Sequence, residues 1–136
     1  MFEVLEHTAD VGFRAFGSTL EDLFANAAVA MLSIAGEPSS AEPRDEYPLE
    51  AEGGDLESLL VNWLSEVLWW HDGRRIAFRE FRVTHLEPVA LRATGYGEPR
   101  DPARHRARII VKAVTWHQLK IAQSGGGWTA EVYLDI

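Results

Sequence analysis

Two aspartates offer the chemistry that this sequence most readily supports: Asp10 near its start and Asp135 one residue before its end. The run Glu6-His7-Thr8-Ala9-Asp10-Val11-Gly12 packs four polar side chains into the entry of the first apolar-alternating segment. At the far end, Asp135-Ile136 follow directly on another alternating segment, where most chains would fray. That ending predicts the Asp135 side-chain carboxylate and the terminal carboxylate of Ile136 side by side. Asp10 would join them if the first and last strands are neighbours. Three carboxylates in one place repel unless a cation or proton intervenes. Hard oxygen donors of this kind suit Ca²⁺ or Mg²⁺, completed by carbonyls or water. A plainer reading fits the same pattern, with Asp10 capping a turn and Asp135 at a solvated end.

A second group lies in Val111-Lys112-Ala113-Val114-Thr115-Trp116-His117. A lysine within an apolar strand calls for a carboxylate or an anionic ligand. His117 falls at a turn between strands, where a histidine either serves as a base or holds a structural hydrogen bond. The stretch from Arg100 to Lys112 adds a basic strip: Arg100, Arg104, Arg106, Arg108 and Lys112, with His105, against Asp101 alone. Such a strip can face an anionic partner or simply be solvated. The familiar nucleophile and nucleotide signatures are missing. There is no phosphate loop ending in Lys-Ser/Thr, no dinucleotide fingerprint and no Gly-x-Ser-x-Gly elbow. Gly125-Gly126-Gly127 leads into a strand and presents no helix N-terminus to a phosphate.

The elements that must position these residues follow from hydrophobic periodicity. Leu20, Leu23, Phe24, Ala27, Ala28, Met31 and Leu32 share one helical face, preceded by a capping box of Ser18 and Glu21 and stopped by Gly36 and Pro38. A second helix follows Gly53-Gly54 with Asp55 as N-cap. Its face is Leu56, Leu59, Leu60, Trp63, Leu64, Val67 and Leu68, and Trp69-Trp70 extend the apolar surface at its last turn before Asp72-Gly73. Strands are expected at 11–16, 47–52 (an edge), 79–86, 88–94, 108–116, 118–123 and 128–135, with loops at 36–46 and 95–108. The pattern predicts a single α+β domain over residues 1–136. Its sheet should be mixed but largely antiparallel, of about six to seven strands, with two amphipathic helices packed on it.

Composition narrows the function classes. The 136 residues suit one core, and the absence of cysteine removes disulfides and thiolate chemistry together. A net charge of −8 disfavours broad nucleic-acid binding. The start of the sequence shows no secretory signal, and no apolar run approaches the roughly 18–20 residues of a membrane span. A cytoplasmic protein is expected, monomeric or weakly oligomeric, without a membrane partner.

Together these segments resemble the archease family. The resemblance is carried by residues 6–12, Ser18-Thr19-Leu20-Glu21-Asp22-Leu23-Phe24 and Leu59-Leu60-Val61-Asn62-Trp63-Leu64. It continues through Gly97-Glu98-Pro99, Asp101-Pro102, Arg104-His105, residues 112–117 and the ending Asp135-Ile136. The resemblance implies an accessory protein rather than an enzyme. Its partner would be the guanylylated, manganese-dependent RNA ligase of tRNA splicing and RNA repair, which joins 2′,3′-cyclic or 3′-phosphate ends to 5′-hydroxyl ends. The accessory protein would promote guanylylation and multiple turnover, meeting tRNA or broken RNA only indirectly. The family's metal site falls on Asp10, Asp135 and Ile136, with calcium as the first choice and magnesium or manganese as alternatives. Ligase activation would rest on Asp10 and Asp135, supported by Lys112, Arg104 and His117. Two positions depart from the family pattern: Arg108-Ile109-Ile110 stands where an acid is frequent, and Trp116 where tyrosine is common. Two rival classes remain open. One is a chaperone or assembly factor acting through Trp69-Trp70, the other a small metal-dependent hydrolase with His117 as base.

Overall fold

The computed structural model describes residues 10–136. The chain runs β1 (Asp10–Gly17), α1 (Leu20–Ala35), a 3₁₀ turn (Pro38–Ser40), β2 (Asp45–Glu52), α2 (Leu56–Asp72), β3 (Ile76–Glu87), β4 (Ala90–Pro99), β5 (Ala113–Val114), β6 (Lys120–Ser124) and β7 (Gly127–Asp135). The α+β class holds. The strands divide between two sheets, and every strand pair among the described residues is antiparallel. In the terminal sheet β7 is central: β1 runs along one edge, while β5 and β6 share the other. In the second sheet β4 lies between β2 and β3.

α1 bridges the sheets by packing on β1 and β3, and α2 packs on β2. One cluster of buried side chains fills the space between them. Trp63 is fully buried in it, and its indole N–H donates to the Phe24 carbonyl across the two helices at 2.9 Å. That bond gives the buried indole the partner it needs. The Phe81 ring meets Trp63 edge-on at 5.6 Å.

Helix α2 begins as expected, with the Asp55 carboxylate accepting from the Ser58 N–H at 2.7 Å. Helix α1 begins one residue later than its pattern predicts. Thr19, not Ser18, is the cap, and its hydroxyl accepts from the Asp22 N–H at 3.1 Å. Gly17 explains the shift. A Cβ there would stand 2.3 Å from the Leu23 nitrogen, so Gly17-Ser18 forms the tight approach and the helix starts after it.

Other boundaries differ, two of them instructively. Residues 95–99, read as loop, complete β4. Gly95 and Gly97 are strand residues because a Cβ would meet the Phe78 ring at 2.5 Å and the Ala77 carbonyl at 2.1 Å, so glycine here marks close packing, not a turn. Conversely, the β-branched run Ile109-Ile110-Val111 is not a strand, and β5 is only Ala113–Val114. Val111 alone of that run is buried, and the Arg108 N–H donates to the Ala35 carbonyl at the end of α1, not to a strand. Residues 100–112 are an irregular strap.

Candidate metal and activation site at the ends of the terminal strands

The register of β1 and β7 sets Asp10 directly opposite Asp135. Alternation along both strands turns Val11, Phe13 and Ala15 inward, opposite Leu134, Val132 and Ala130, which are fully buried. The same period sends Asp10, Gly12, Arg14 and Phe16 outward with Asp135, Tyr133, Glu131 and Thr129. Directly opposed residues on one face have Cβ atoms roughly 5 Å apart. The two carboxylates therefore share the outer face at the very end of the sheet, and Ile136 follows at once. Among the described residues neither side chain has an ion pair or hydrogen bond. Like charges so placed disfavour folding unless something positive joins them.

Lys112 reaches this end through its backbone. Its N–H donates to the Asp135 carbonyl at 2.7 Å, and Ala113 is the register partner of Asp135. Its side chain is exposed just before β5, so it is not the strand-buried lysine the sequence pattern suggested. His117 is exposed at the turn between β5 and β6. Its ring meets Tyr133 edge-on at 5.8 Å, two residues along β7 from Asp135. Tyr133 in turn lies over Gly12, where a Cβ would stand 2.5 Å from the ring. Glu6, His7 and Thr8 lie outside the described residues.

Arg104 is placed elsewhere. It pairs with Glu98, a residue 1 % exposed near the end of β4. Glu98 Oε2 also accepts from the Glu42 N–H at 2.8 Å and from His105 Nε2 at 2.9 Å, while Arg44 Nε stands 3.5 Å from Oε1. His105 Nδ1 accepts from the Asp101 N–H at 2.7 Å, which leaves Nε2 as the protonated nitrogen facing Glu98. The Glu42 N–H, then the His105 and Arg104 donors, outweigh burial and hold the Glu98 carboxyl at about 2, below its usual 4.5. This centre ties the strap to the 42–44 loop. Sequence reading missed it as a site, although an acid between Gly97 and Pro99, six residues before Arg104, was its visible signal. His71 adds a third anchor, its Nε2 accepting from Arg100 at 3.0 Å. Burial, then Arg100, pushes its pKa down.

Both acidic centres lie at one end of the fold. α1 returns antiparallel along β1, its rise of roughly 24 Å matching the roughly 26 Å of the strand, so Ala35 comes back to the level of Asp10. From there the strap carries the chain from Glu98 past Ala35 to Lys112 and Asp135. For a divalent ion, two aspartates are a hard, oxygen-only donor pair, which fits calcium or magnesium better than softer metals. No three His, Cys, Asp or Glu side chains converge among the described residues. The described residues offer no buried nucleophile beside a base, and His117 is too exposed and unpartnered to read as one.

Comparison with known proteins agrees with this architecture. Residues 2–136 match the Archease protein family (MTH1598/TM1083). The chain is 41 % identical over 138 residues to the archease of Methanopyrus kandleri, covering 99 % of each chain. It is 39 % identical over 140 residues to that of Pyrococcus abyssi, covering 99 % of this chain and 98 % of that one. Protein 1598 of Methanobacterium thermoautotrophicum, solved in solution, superposes with a TM-score of 0.81 at 37 % identity, over 99 % of this chain and 96 % of that one. An archease from Thermotoga maritima, described as a possible chaperone, shares the fold at a TM-score of 0.72 and 19 % identity, over 100 % of this chain and 98 % of that one. The chain belongs to the archease family.

Proposed function

We propose that this protein is a cytoplasmic, non-catalytic activator of the guanylylated, manganese-dependent RNA ligase of tRNA splicing and RNA repair. The observation that carries the reading is the register of β1 and β7, which brings Asp10 opposite Asp135 on the outward face of the sheet. Membership of the archease family supports it.

In this reading Asp10, Asp135 and the Ile136 carboxylate hold a divalent ion, calcium first among the candidates. A bound ion would supply positive charge for phosphate oxygens at the ligase nucleotide site. The chain's own contribution is geometric. Antiparallel pairing fixes the two carboxylates on one rigid edge, and the Lys112 N–H bond to Asp135 holds the end of β7 against the strap. The aspartates thus arrive pre-positioned at the partner's site. Lys112 adjoins the pair through its backbone bond to Asp135, His117 through its ring contact with Tyr133, and Arg104 acts at one remove by securing the strap through Glu98.

The test is ligation of a 2′,3′-cyclic-phosphate end to a 5′-hydroxyl end by the ligase of the same organism, with ligase substoichiometric to RNA. Adding this protein should convert a single round into many. A ligase that turns over equally well without it would contradict the proposal. Calcium titration by calorimetry checks the ion separately: binding should be lost in Asp10→Asn.

One observation favours a chaperone as the second reading, since Trp69 is half exposed with Arg74 near its ring at 5.7 Å. Its neighbour weakens the patch: Trp70 is buried against Tyr47 at 5.6 Å and donates to Glu66 at 3.2 Å. Suppressed aggregation of unrelated clients, lost in Trp69→Ala and kept in Asp10→Ala, would favour that reading.

A further inference from the structure

Six large apolar side chains are exposed among the described residues, and three of them, Ile109, Ile110 and Trp116, fall within eight residues of one another. Ile110 is 76 % exposed and Trp116 57 %. They flank Lys112 on both sides, and the backbone holding them is tied down. Arg108 N–H donates to the Ala35 carbonyl at 2.9 Å, Lys112 N–H to Asp135 at 2.7 Å and Thr115 N–H to Tyr133 at 3.0 Å. Val111 is buried between them and anchors the segment, so its neighbours cannot turn inward. Large apolar side chains held exposed by a tied-down backbone close to the Asp135 end of β7 mark a docking surface.

We propose that Ile109, Ile110 and Trp116 form the apolar ledge on which the protein partner seats as Asp10 and Asp135 enter its site. The inference deepens the ligase reading and rests on it. Charge decides the kind of partner. Two opposed carboxylates on a chain of net charge −8 favour a surface that offers a cation or basic groups, framed by apolar side chains to meet the ledge. A polyanion, RNA included, meets neither condition. The ledge supplies affinity, and the aspartates supply activation.

The experiment titrates wild type, Ile110→Asp, Trp116→Ala and Val89→Asp against the purified ligase, reading both direct binding and the rate of RNA joining. Val89 is the control: it is 49 % exposed at the β3–β4 turn, at the opposite end of the sheet. Ile110→Asp should weaken binding about tenfold or more while reaching the wild-type joining rate at saturation. Trp116→Ala should shift in the same direction, and Val89→Asp should follow wild type. Wild-type binding by Ile110→Asp, or an equal shift in Val89→Asp, would overturn the ledge while leaving the ligase reading intact. If wild type itself neither binds nor stimulates the ligase, the ligase reading falls and the ledge with it.

Discussion

Glu98 and the Asp10–Asp135 pair lie at the same end of the molecule, yet their charges are answered in opposite ways. Glu98 is 1 % exposed and surrounded by the Glu42 N–H, Arg104, His105 and Arg44. Asp10 and Asp135 face each other across a strand pair, with no side-chain partner among the described residues. An acid enclosed by donors has its charge committed to folding. An acid set opposite another acid is repelled by it and calls for a cation or a basic partner. The contrast predicts that substitutions at the first centre act on stability and those at the second on function.

The largest expected effect is at the aspartates. Asp10→Ala and Asp135→Ala should each abolish ligase stimulation while changing folding stability by no more than about 0.5 kcal/mol, read by joining assay and denaturant melt together. A melt shifted strongly downward with stimulation kept would reverse the comparison.

Loss of the Glu98 charge comes next. Its pKa is depressed from 4.5 to about 2 in the folded protein, so its stabilising effect is complete above about 4.5. That effect declines as pH falls below 4.5 and is gone once pH passes about 2. Wild type should therefore lose stability steeply across that window, and Glu98→Gln should start less stable and show a flatter acid limb. Equal acid slopes in the two proteins would place the titrating group elsewhere.

Glycines give a finer comparison of the same two regions. Gly97→Ala drives a methyl to 2.1 Å from the Ala77 carbonyl, between backbones that cannot part, and should cost about 1–3 kcal/mol. Gly12→Ala meets only the Tyr133 ring, which can swing away, and should cost about 1 kcal/mol or less. The displaced ring would leave His117, so Gly12→Ala should alter the His117 imidazole resonances by NMR while Gly97→Ala leaves them unmoved.

The smallest effect sets the baseline. Thr19→Ala removes the α1 cap at the far end of the molecule and should cost about 1 kcal/mol without touching ligase stimulation.

The aspartate pair was legible in the sequence and the Glu98 centre was not, for a physical reason. Period-two alternation near each terminus predicts which face Asp10 and Asp135 take, and antiparallel pairing does the rest. Glu98 depends on contacts 56 residues away at Glu42, and no local period encodes them. The helices could be read because seven apolar positions in each repeat at helical spacing. The α1 cap moved by one residue because Gly17 sits against the Leu23 nitrogen, a tertiary approach. The run 109–111 imitated a strand because its residues are β-branched, but the backbone bond just before it, from Arg108, goes to the helix end at Ala35. Gly95 and Gly97 imitated a loop for the converse reason: aromatic and backbone neighbours crowd out any Cβ within a strand.

The most direct test of the central claim is transfer of labelled GMP from GTP to the ligase, measured at limiting ligase with wild type or Asp135→Asn. Asp135→Asn removes one charge while keeping the side-chain size and the backbone bond from Lys112. Wild type should accelerate GMP transfer and Asp135→Asn should leave it at the ligase-alone rate while melting no lower than wild type. Acceleration by Asp135→Asn equal to wild type would show that the opposed aspartates are not the working centre.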